Sequence, residues 1–235
     1  MTQLPDGVPV ITFAHRGARL EEPENTLRAF RRARDQGAAG LETDVWLSAD
    51  GEVVCTHDAT VRRGLRRVRV GATAAQELAR MEVPRLADVY EELGNDFELS
   101  VDAKTPEVAR PLLDVARRYR ALGRLWLCHP DFTLLRELRA ERDVRLVHST
   151  AKKSVGGPLE RHAHELAEAG IDACNLHHTE WTAGIVALYH RFGVRAFAWD
   201  VQEVRHLRAV LDMGIDAVYS DNVARMVAVV AEWNA

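Results

Sequence analysis

Four short stretches within the first 58 residues carry side chains that could work together on a phosphate ester. They are His15-Arg16-Gly17, Pro23-Glu24-Asn25-Thr26, Glu42-Thr43-Asp44 and His57-Asp58. Histidines can take up and release protons near neutral pH, and an arginine can hold an anion with its planar fork of donors. Two carboxylates, two residues apart, are typical ligands of a hard cation. Proton carriers, an anion clamp and cation ligands together predict the cleavage of a phosphodiester.

The elements that position these side chains follow from the hydrophobic pattern. Short apolar runs alternate with amphipathic helical patterns along almost the whole chain. The pattern predicts eight strands and eight helices in strict alternation, which is typical of an α/β protein with a (β/α)8 TIM barrel. The predicted strands cover residues 10–15, 40–47, 97–102, 125–129, 144–148, 172–176, 194–199 and 217–220.

The alternation is interrupted once, after the second predicted strand. Asp50-Gly51 lies there between two strand-like runs, which is a strong signal for a hairpin. We therefore predict a single barrel domain over residues 1–235 with a hairpin and loop insertion at about residues 47–80. On its return, this insertion would bring His57 back to the barrel mouth.

The polar residues occur where the predicted strands end, and in a TIM barrel these ends surround the active site. His15 closes the first strand, Glu42 and Asp44 lie late in the second, and Asp102 closes the third with Lys104 just beyond. Residues two apart on a strand point the same way, so Glu42 and Asp44 can both face inward. Three inward carboxylates would repel one another unless a cation lay between them. Oxygen ligands suit Mg²⁺ or Ca²⁺ rather than zinc.

Each of these residues also has a structural explanation. The carboxylates could form an ion-pair network with Lys104 and Arg16 that only closes the end of the barrel. His15 could be a hydrogen-bonded residue at a strand end. Trp199, which closes the seventh predicted strand, could form an apolar wall for glycerol or an alcohol group or could simply pack. The joint occurrence of all these residues at one end of the barrel favours the chemical interpretation.

The composition is that of a soluble globular protein. Of the 235 residues, 47% are hydrophobic and 28% are charged, and the formal net charge is −4. A negative net charge argues against a nucleic-acid-binding protein. The sequence has no apolar run of about 18 residues, which argues against integral membrane association. The first residues lack a basic region followed by an apolar core, so we expect no signal peptide and a cytoplasmic location.

The ordered motifs resemble those of the glycerophosphodiester phosphodiesterase family. The resemblance runs from end to end and is strongest in the first quarter of the chain. It is carried by Ala14-His15-Arg16-Gly17, Pro23-Glu24-Asn25-Thr26, Ala29-Phe30, Glu42-Thr43-Asp44-Val45, Asp50-Gly51, Val53-Val54, His57-Asp58, Val83-Pro84-Arg85-Leu86, Asp102-Ala103-Lys104, Gly214-Ile215-Asp216-Ala217 and Ser220-Asp221.

The resemblance implies a TIM-barrel phosphodiesterase that hydrolyses glycerophosphodiesters to sn-glycerol 3-phosphate and an alcohol through a cyclic phosphate. It implies one divalent cation, Mg²⁺ or Ca²⁺, and a small-molecule substrate bound by a monomer or homodimer. The implied roles are acid and base catalysis for His15 and His57, phosphate binding for Arg16 and Lys104, and metal binding for Glu42, Asp44 and Asp102. Trp199 is predicted from its own position to contact the substrate.

The chain departs from the family pattern at several positions. Asp102 stands where the family usually has glutamate, and Asp200 and Gln202 stand where threonine and asparagine are common. These differences keep open a catalytically silent barrel that binds a phosphorylated metabolite. A second alternative, a lysophospholipase D-type lipid phosphodiesterase, is motivated by Trp199 and by the arginines of the insertion, at positions 62, 63, 66, 67 and 69.

Several histidines outside the motifs have no partner motif of their own. His162 and His164 are two apart on a predicted helix, and we interpret both as surface residues. His177 and His178 follow the sixth predicted strand and could reach the rim of the site, although a structural role is favoured for them.

Overall fold

The computed structural model describes residues 9–64 and 66–234. In this part of the chain the strands are β1 (Ile11–Ala14), β2 (Gly40–Leu47), β3 (Val53–Cys55), β4 (Thr60–Arg63), β5 (Arg66–Arg69), β6 (Glu98–Ala103), β7 (Leu125–His129), β8 (Arg145–Ser149), β9 (Ala173–His177), β10 (Arg195–Trp199) and β11 (Ala217–Ser220). The α-helices are α1 (Leu27–Asp35), α2 (Ala75–Ala79), α3 (Leu86–Leu93), α4 (Pro106–Arg118), α5 (Phe132–Leu138), α6 (Leu159–Glu168), α7 (Ala183–Arg191), α8 (Val204–Asp212) and α9 (Val223–Trp233).

Eight parallel strands form a closed ring, because β1 pairs with β2 on one side and with β11 on the other. The remaining ring members are β6, β7, β8, β9 and β10, each paired with its neighbours in chain order. The predicted TIM barrel is therefore confirmed, and the eight predicted strands agree with the ring to within one or two residues. None of the helices in the described part of the chain could reach across a bilayer as an apolar span.

Aromatic side chains fill the inside of the barrel below the site. Phe13 stacks on Tyr219 with ring centroids 4.8 Å apart, and Trp126 meets Phe197 edge-on at 4.9 Å. Gly40 makes room for this packing, since a Cβ atom there would lie 2.6 Å from the ring of Phe13. The barrel is a packed core, so ligands can enter only at its ends.

A larger apolar layer lies between the strands and the surrounding helices. In α1, for example, Ala29, Phe30 and Ala33 are buried against the strands, which matches the helical spacing of the sequence. The helix begins after Thr26, whose hydroxyl accepts a hydrogen bond from the backbone N–H of Ala29 at 3.2 Å. This cap fixes where the chain turns from the mouth of the barrel into the helix.

The predicted insertion after the second strand is also present. Strand β3 pairs antiparallel with the end of β2 and lies outside the ring. Beyond it, β4 and β5 pair with each other in a separate hairpin, and α2 completes the insertion. The sequence analysis did not predict this second hairpin, because its arginine-rich strands lack the apolar alternation by which a half-buried strand is recognised. It also did not predict α2, whose five residues are too few for a helical periodicity to show.

Candidate active site

A cavity of about 410 Å³ opens at the carboxyl ends of the ring strands. All eight site residues predicted from the sequence line it: His15, Arg16, Glu42, Asp44, His57, Asp102, Lys104 and Trp199. Asn175, Asp200 and Tyr219 are among the further residues in its wall. The barrel therefore brings the predicted residues together, from positions up to 184 apart in the chain.

Three carboxylates form the floor of one side of this cavity. Glu42 and Asp44 are two apart on β2, and Asp44 lies beside Asp102 in the parallel register of β2 and β6. One oxygen from each of the three lies within 4.8 Å of the other two. Glu42 and Asp44 are almost fully buried, whereas the side chain of Asp102 is 39% exposed toward the cavity.

This arrangement concentrates negative charge where water is scarce. Burial, and next the charge of Asp44, raise the pKa of Glu42 to about 8. Desolvation and Asp44 likewise raise the pKa of Asp102 to about 6, against the opposing effect of Lys104. A bound cation would relieve the repulsion, and three carboxylates are the oxygen donors that Mg²⁺ and Ca²⁺ prefer. The donor set therefore fits a hard divalent cation.

Lys104 and Arg16 contribute the nearest fixed positive charges. The Lys104 Nζ atom lies 2.5 Å from Asp44 Oδ1 and 3.9 Å from Asp102 Oδ2. Desolvation alone would lower the pKa of Lys104, but Asp44 and Asp102 outweigh it and the pKa is raised. Arg16 Nε lies 3.3 Å from Asp44 Oδ2. The ion-pair network expected as the structural alternative thus exists, but both of its cations contact Asp44 and neither contacts Glu42 in this way.

The turn after β1 places Arg16. Its backbone is left-handed, with a φ of 57°, and its N–H donates to Glu42 Oε2 at 2.8 Å. The guanidinium donates to Glu24 at 3.0 Å and still has further donors, because it carries five N–H bonds. Gly17 continues the turn with a φ of 79°, and a Cβ atom there would lie 2.7 Å from the backbone of Ala29. The glycine of the His-Arg-Gly motif is therefore required for this turn to pack against α1.

Each of the two candidate catalytic histidines has a carboxylate on its Nδ1 atom. His15 Nδ1 lies 2.6 Å from Asp221 Oδ1, and His57 Nδ1 lies 2.8 Å from Asp58 Oδ1. A carboxylate in this position favours the proton on Nδ1 and leaves Nε2 for proton transfer. Burial alone would lower the pKa of His15, but Glu42 and then Asp221 outweigh it and the pKa is raised.

Asp221 is a functional candidate to which sequence analysis gave no role. It follows β11, and its backbone N–H donates to Gln202 Oε1 at 2.9 Å. The same oxygen accepts from the Ser220 hydroxyl at 3.0 Å. Gln202, noted above as a departure from the family pattern, therefore holds the loop that presents Asp221 to His15.

Asn25 is a second residue to which sequence analysis gave no role in the site; it lies directly before Thr26, which caps α1. Asn25 is buried and left-handed, with a φ of 55°. Its Nδ2 atom donates to Asp44 Oδ2 at 3.4 Å, and its Oδ1 atom accepts from the Thr43 hydroxyl at 2.7 Å. Asn25 thus orients one of the candidate metal ligands.

The prediction that His162 is a surface residue was wrong, whereas His164 is exposed as expected. His162 is only 7% exposed and lies 2.9 Å from His148 Nδ1 and 2.7 Å from the hydroxyl of Tyr189. Burial, and then His148, lower the pKa of His162 to about 4. The residue faces inward on α6 because hydrogen-bonding partners on two neighbouring elements satisfy its ring.

His177 and His178 do not themselves line the cavity, but His177 contacts two residues that do, Trp199 and Asp200. His177 Nε2 lies 3.2 Å from Asp200 Oδ2, and the ring of His177 meets Trp199 edge-on at 4.6 Å. Trp199 is 43% exposed and forms an apolar part of the wall. The carboxylate of Asp200 is fixed from its other side by Gln202, whose Nε2 atom donates to it at 3.1 Å.

Comparison with known proteins gives consistent matches. The model of the Glycerophosphoryl diester phosphodiesterase family matches residues 15–225. The Glycerophosphodiester phosphodiesterase of Caldanaerobacter subterraneus subsp. tengcongensis is 24% identical, over 94% of this chain and 97% of that protein.

Solved structures share the fold. The crystal structure of a glycerophosphodiester phosphodiesterase from Thermotoga maritima has a TM-score of 0.83 at 24% identity, over 94% of this chain and 98% of that one. An Oleispira antarctica phosphodiesterase, solved in complex with the product sn-glycerol-3-phosphate, has a TM-score of 0.81 at 20% identity, over 94% of this chain and 96% of that one. At these identities the likeness concerns the fold.

Proposed function

The chain belongs to the glycerophosphoryl diester phosphodiesterase family and is a phosphodiesterase, and from that premise we propose a specific reaction. In this reaction the protein hydrolyses glycerophosphodiesters to sn-glycerol 3-phosphate and an alcohol, with one divalent cation, Mg²⁺ or Ca²⁺. The observation that carries the proposal is the convergence of two histidines, two basic side chains and three carboxylates on one cavity.

Glu42, Asp44 and Asp102 are the residues that would hold the cation. The mutual distances of the three carboxylates and the raised pKa values of Glu42 and Asp102 support this assignment, since three clustered anions are costly without a counter-ion. When bound, the cation supplies neutralising charge to the phosphate and orients the oxygens of the glycerol. Asn25 and the backbone N–H of Arg16 keep two of the carboxylates in position.

His15 and His57 would carry the protons. One histidine takes the proton of a free glycerol hydroxyl, whose oxygen attacks phosphorus, while the bond between phosphorus and the leaving alcohol breaks. The other histidine gives its proton to that alcohol oxygen, and a cyclic phosphate remains. Water then opens the ring with the two histidines in exchanged roles, which restores both protonation states and yields glycerol 3-phosphate.

The basic side chains would bind the phosphate. Arg16 presents a planar fork that matches two nonbridging oxygens, and Lys104 adds a compact charge on the same side of the cavity. Trp199 offers an apolar face to the carbon atoms of the substrate at the mouth.

The first test measures release of glycerol 3-phosphate from glycerophosphocholine and glycerophosphoethanolamine with Mg²⁺, with Ca²⁺ and with chelator. We expect cation-dependent release by the wild-type chain and loss of at least about 100-fold in His15→Ala and His57→Ala, because each removes a proton carrier. His164→Ala, which changes an exposed histidine on α6, is the matched control.

Other outcomes point elsewhere. Full activity in chelator, or in either histidine variant, would refute the mechanism. Turnover of lysophospholipid well above that of the deacylated diesters would replace the substrate class with that of a lysophospholipase D. Binding of glycerol 3-phosphate without turnover under either cation would indicate a silent barrel.

A further inference from the structure

A second group of potential metal ligands lies on the rim of the cavity, in side chains that the proposed phosphodiester chemistry does not use. His177 ends β9, His178 follows it directly, and Asp200 follows β10. One donor atom from each of the three lies within 4.8 Å of the other two. This set shares no member with the carboxylates Glu42, Asp44 and Asp102.

The barrel itself brings these donors together. Strands β9 and β10 are parallel neighbours, and His177 is the register partner of Trp199. Asp200 is therefore one residue beyond the pair, and its left-handed φ of 61° departs from the extended strand. This backbone conformation is uncommon for a residue other than glycine, and it accompanies a carboxylate that meets His177.

The spacing fits a tetrahedral transition metal. With metal–nitrogen and metal–oxygen bonds of about 2.0–2.2 Å, two ligands of a tetrahedral zinc lie roughly 3.4 Å apart. His177 Nε2 and Asp200 Oδ2 are 3.2 Å apart. A metal ion could be held between these atoms with only a small movement, and His178 would complete three protein ligands with an open fourth position.

Neighbouring groups orient the two histidines. The Nδ1 atom of His177 lies 2.7 Å from the Thr179 hydroxyl and accepts a hydrogen bond from the backbone N–H of Thr179 at 3.3 Å, so the ring proton lies on Nε2 without a metal. Binding of a metal at Nε2 would move that proton to Nδ1, where the Thr179 hydroxyl can accept it. The ring of His178 lies against the ring of His206 on α8, with centroids 4.6 Å apart. Two imidazoles with one carboxylate favour zinc-class ions over Mg²⁺ or Ca²⁺.

We propose that His177, His178 and Asp200 bind one zinc-class divalent ion at the rim of the cavity, separate from the oxygen-ligand site. The ion would fix Asp200 and His177 against Trp199 and thereby stiffen this side of the mouth. The proposal concerns only the binding of a metal ion, so it does not depend on the phosphodiesterase reaction.

The test is a titration of the full chain with Co²⁺ in excess Mg²⁺, followed through the visible absorption of tetrahedral cobalt and reversed with Zn²⁺. The variants are His178→Ala and Asp200→Asn. Asparagine tolerates the left-handed backbone and retains the shape of aspartate, so Asp200→Asn tests ligation with little effect on folding. His164→Ala controls for loss of a histidine, and Glu42→Gln controls for the oxygen-ligand site.

We expect one tetrahedral Co²⁺ per chain, displaced by Zn²⁺. Affinity should fall at least about tenfold in each rim variant and stay within about twofold of wild type in both controls. Three results would overturn the proposal: no tetrahedral spectrum with the wild-type chain, equal affinity in both folded rim variants, or loss of the signal in Glu42→Gln. Circular dichroism of every variant checks the fold.

Discussion

The two histidine–aspartate pairs at the mouth allow a matched prediction. Asp221 contacts His15 at 2.6 Å and its side chain is 25% exposed, whereas Asp58 contacts His57 at 2.8 Å and is 76% exposed. The distance between histidine and aspartate is nearly the same in the two pairs, but water screens the charge of Asp58 much more than that of Asp221. We therefore expect Asp221→Asn to impair catalysis strongly and Asp58→Asn to impair it little.

The magnitudes follow from the environments of the two aspartates. A hydrogen bond to a charged, partly buried group contributes about 1.5–3 kcal/mol. At about 1.36 kcal/mol per tenfold change in rate, Asp221→Asn should lower kcat by about 10- to 150-fold. An exposed ion pair contributes about 0–1 kcal/mol, so Asp58→Asn should cost at most about fivefold. Both substitutions retain the shape of the side chain, and Gln202 still holds the backbone of residue 221.

The assay is the rate of glycerol 3-phosphate release as a function of pH, at saturating glycerophosphodiester and cation. Asp221 is one of the groups that raise the pKa of His15, so the limb of the profile that His15 controls should move to lower pH in Asp221→Asn. Circular dichroism and thermal unfolding show whether each variant is folded. Equal losses in the two variants, or a folded Asp221→Asn with an unchanged rate and profile, would refute the reasoning.

Three further predictions concern stability and the cation. His162 has a folded pKa of about 4, below its ordinary unfolded value of about 6.5, so stability should hold above pH 6.5 and fall as the pH drops toward 4. At pH 5 the wild type should have lost about 2 kcal/mol of unfolding free energy in this way. In urea unfolding, His162→Gln should not show this loss, and parallel curves of stability against pH for the two proteins would contradict the prediction. Glu42→Gln should remove activity yet raise the melting temperature of the cation-free chain at neutral pH, because Glu42, with its pKa raised to about 8, must take up a proton on folding and glutamine removes that cost. Ca²⁺ should then stabilise only wild type. Gly40→Ala should destabilise the barrel by about 1–3 kcal/mol in urea unfolding, whereas Gly123→Ala, whose added Cβ atom has open space, should be nearly neutral.

The ring of strands and the main site residues follow from sequence because both depend on local, regular patterns. Apolar runs mark the strands, and residues two apart on a strand share a face, so Glu42 and Asp44 were predicted to point together. A parallel barrel then places the carboxyl ends of all its strands at one rim. The proximity of His15 and Asp102 therefore follows from the topology alone, without information on side-chain contacts.

The remaining features depend on contacts that no local pattern records. Asp221 meets His15 only because the last strand closes on the first, and Asn25 reaches Asp44 only through a left-handed turn. His162 was placed outside because helical spacing counts a histidine as polar, although Tyr189 and a second histidine satisfy its ring inside. Hydrogen bonds between distant elements decided these positions.

The pairing of β1 with β11 also has a consequence for biosynthesis. His15 and its partner Asp221 are separated by 206 positions, so the first candidate catalytic residue to be made waits for the last strand of the ring. A growing chain on the ribosome already carries His15, Glu42 and His57 but lacks the strand that supplies Asp221. Full hydrolytic competence should therefore arise late and abruptly, when the final strand enters the ring, and a nascent chain would leave cellular diesters untouched until then.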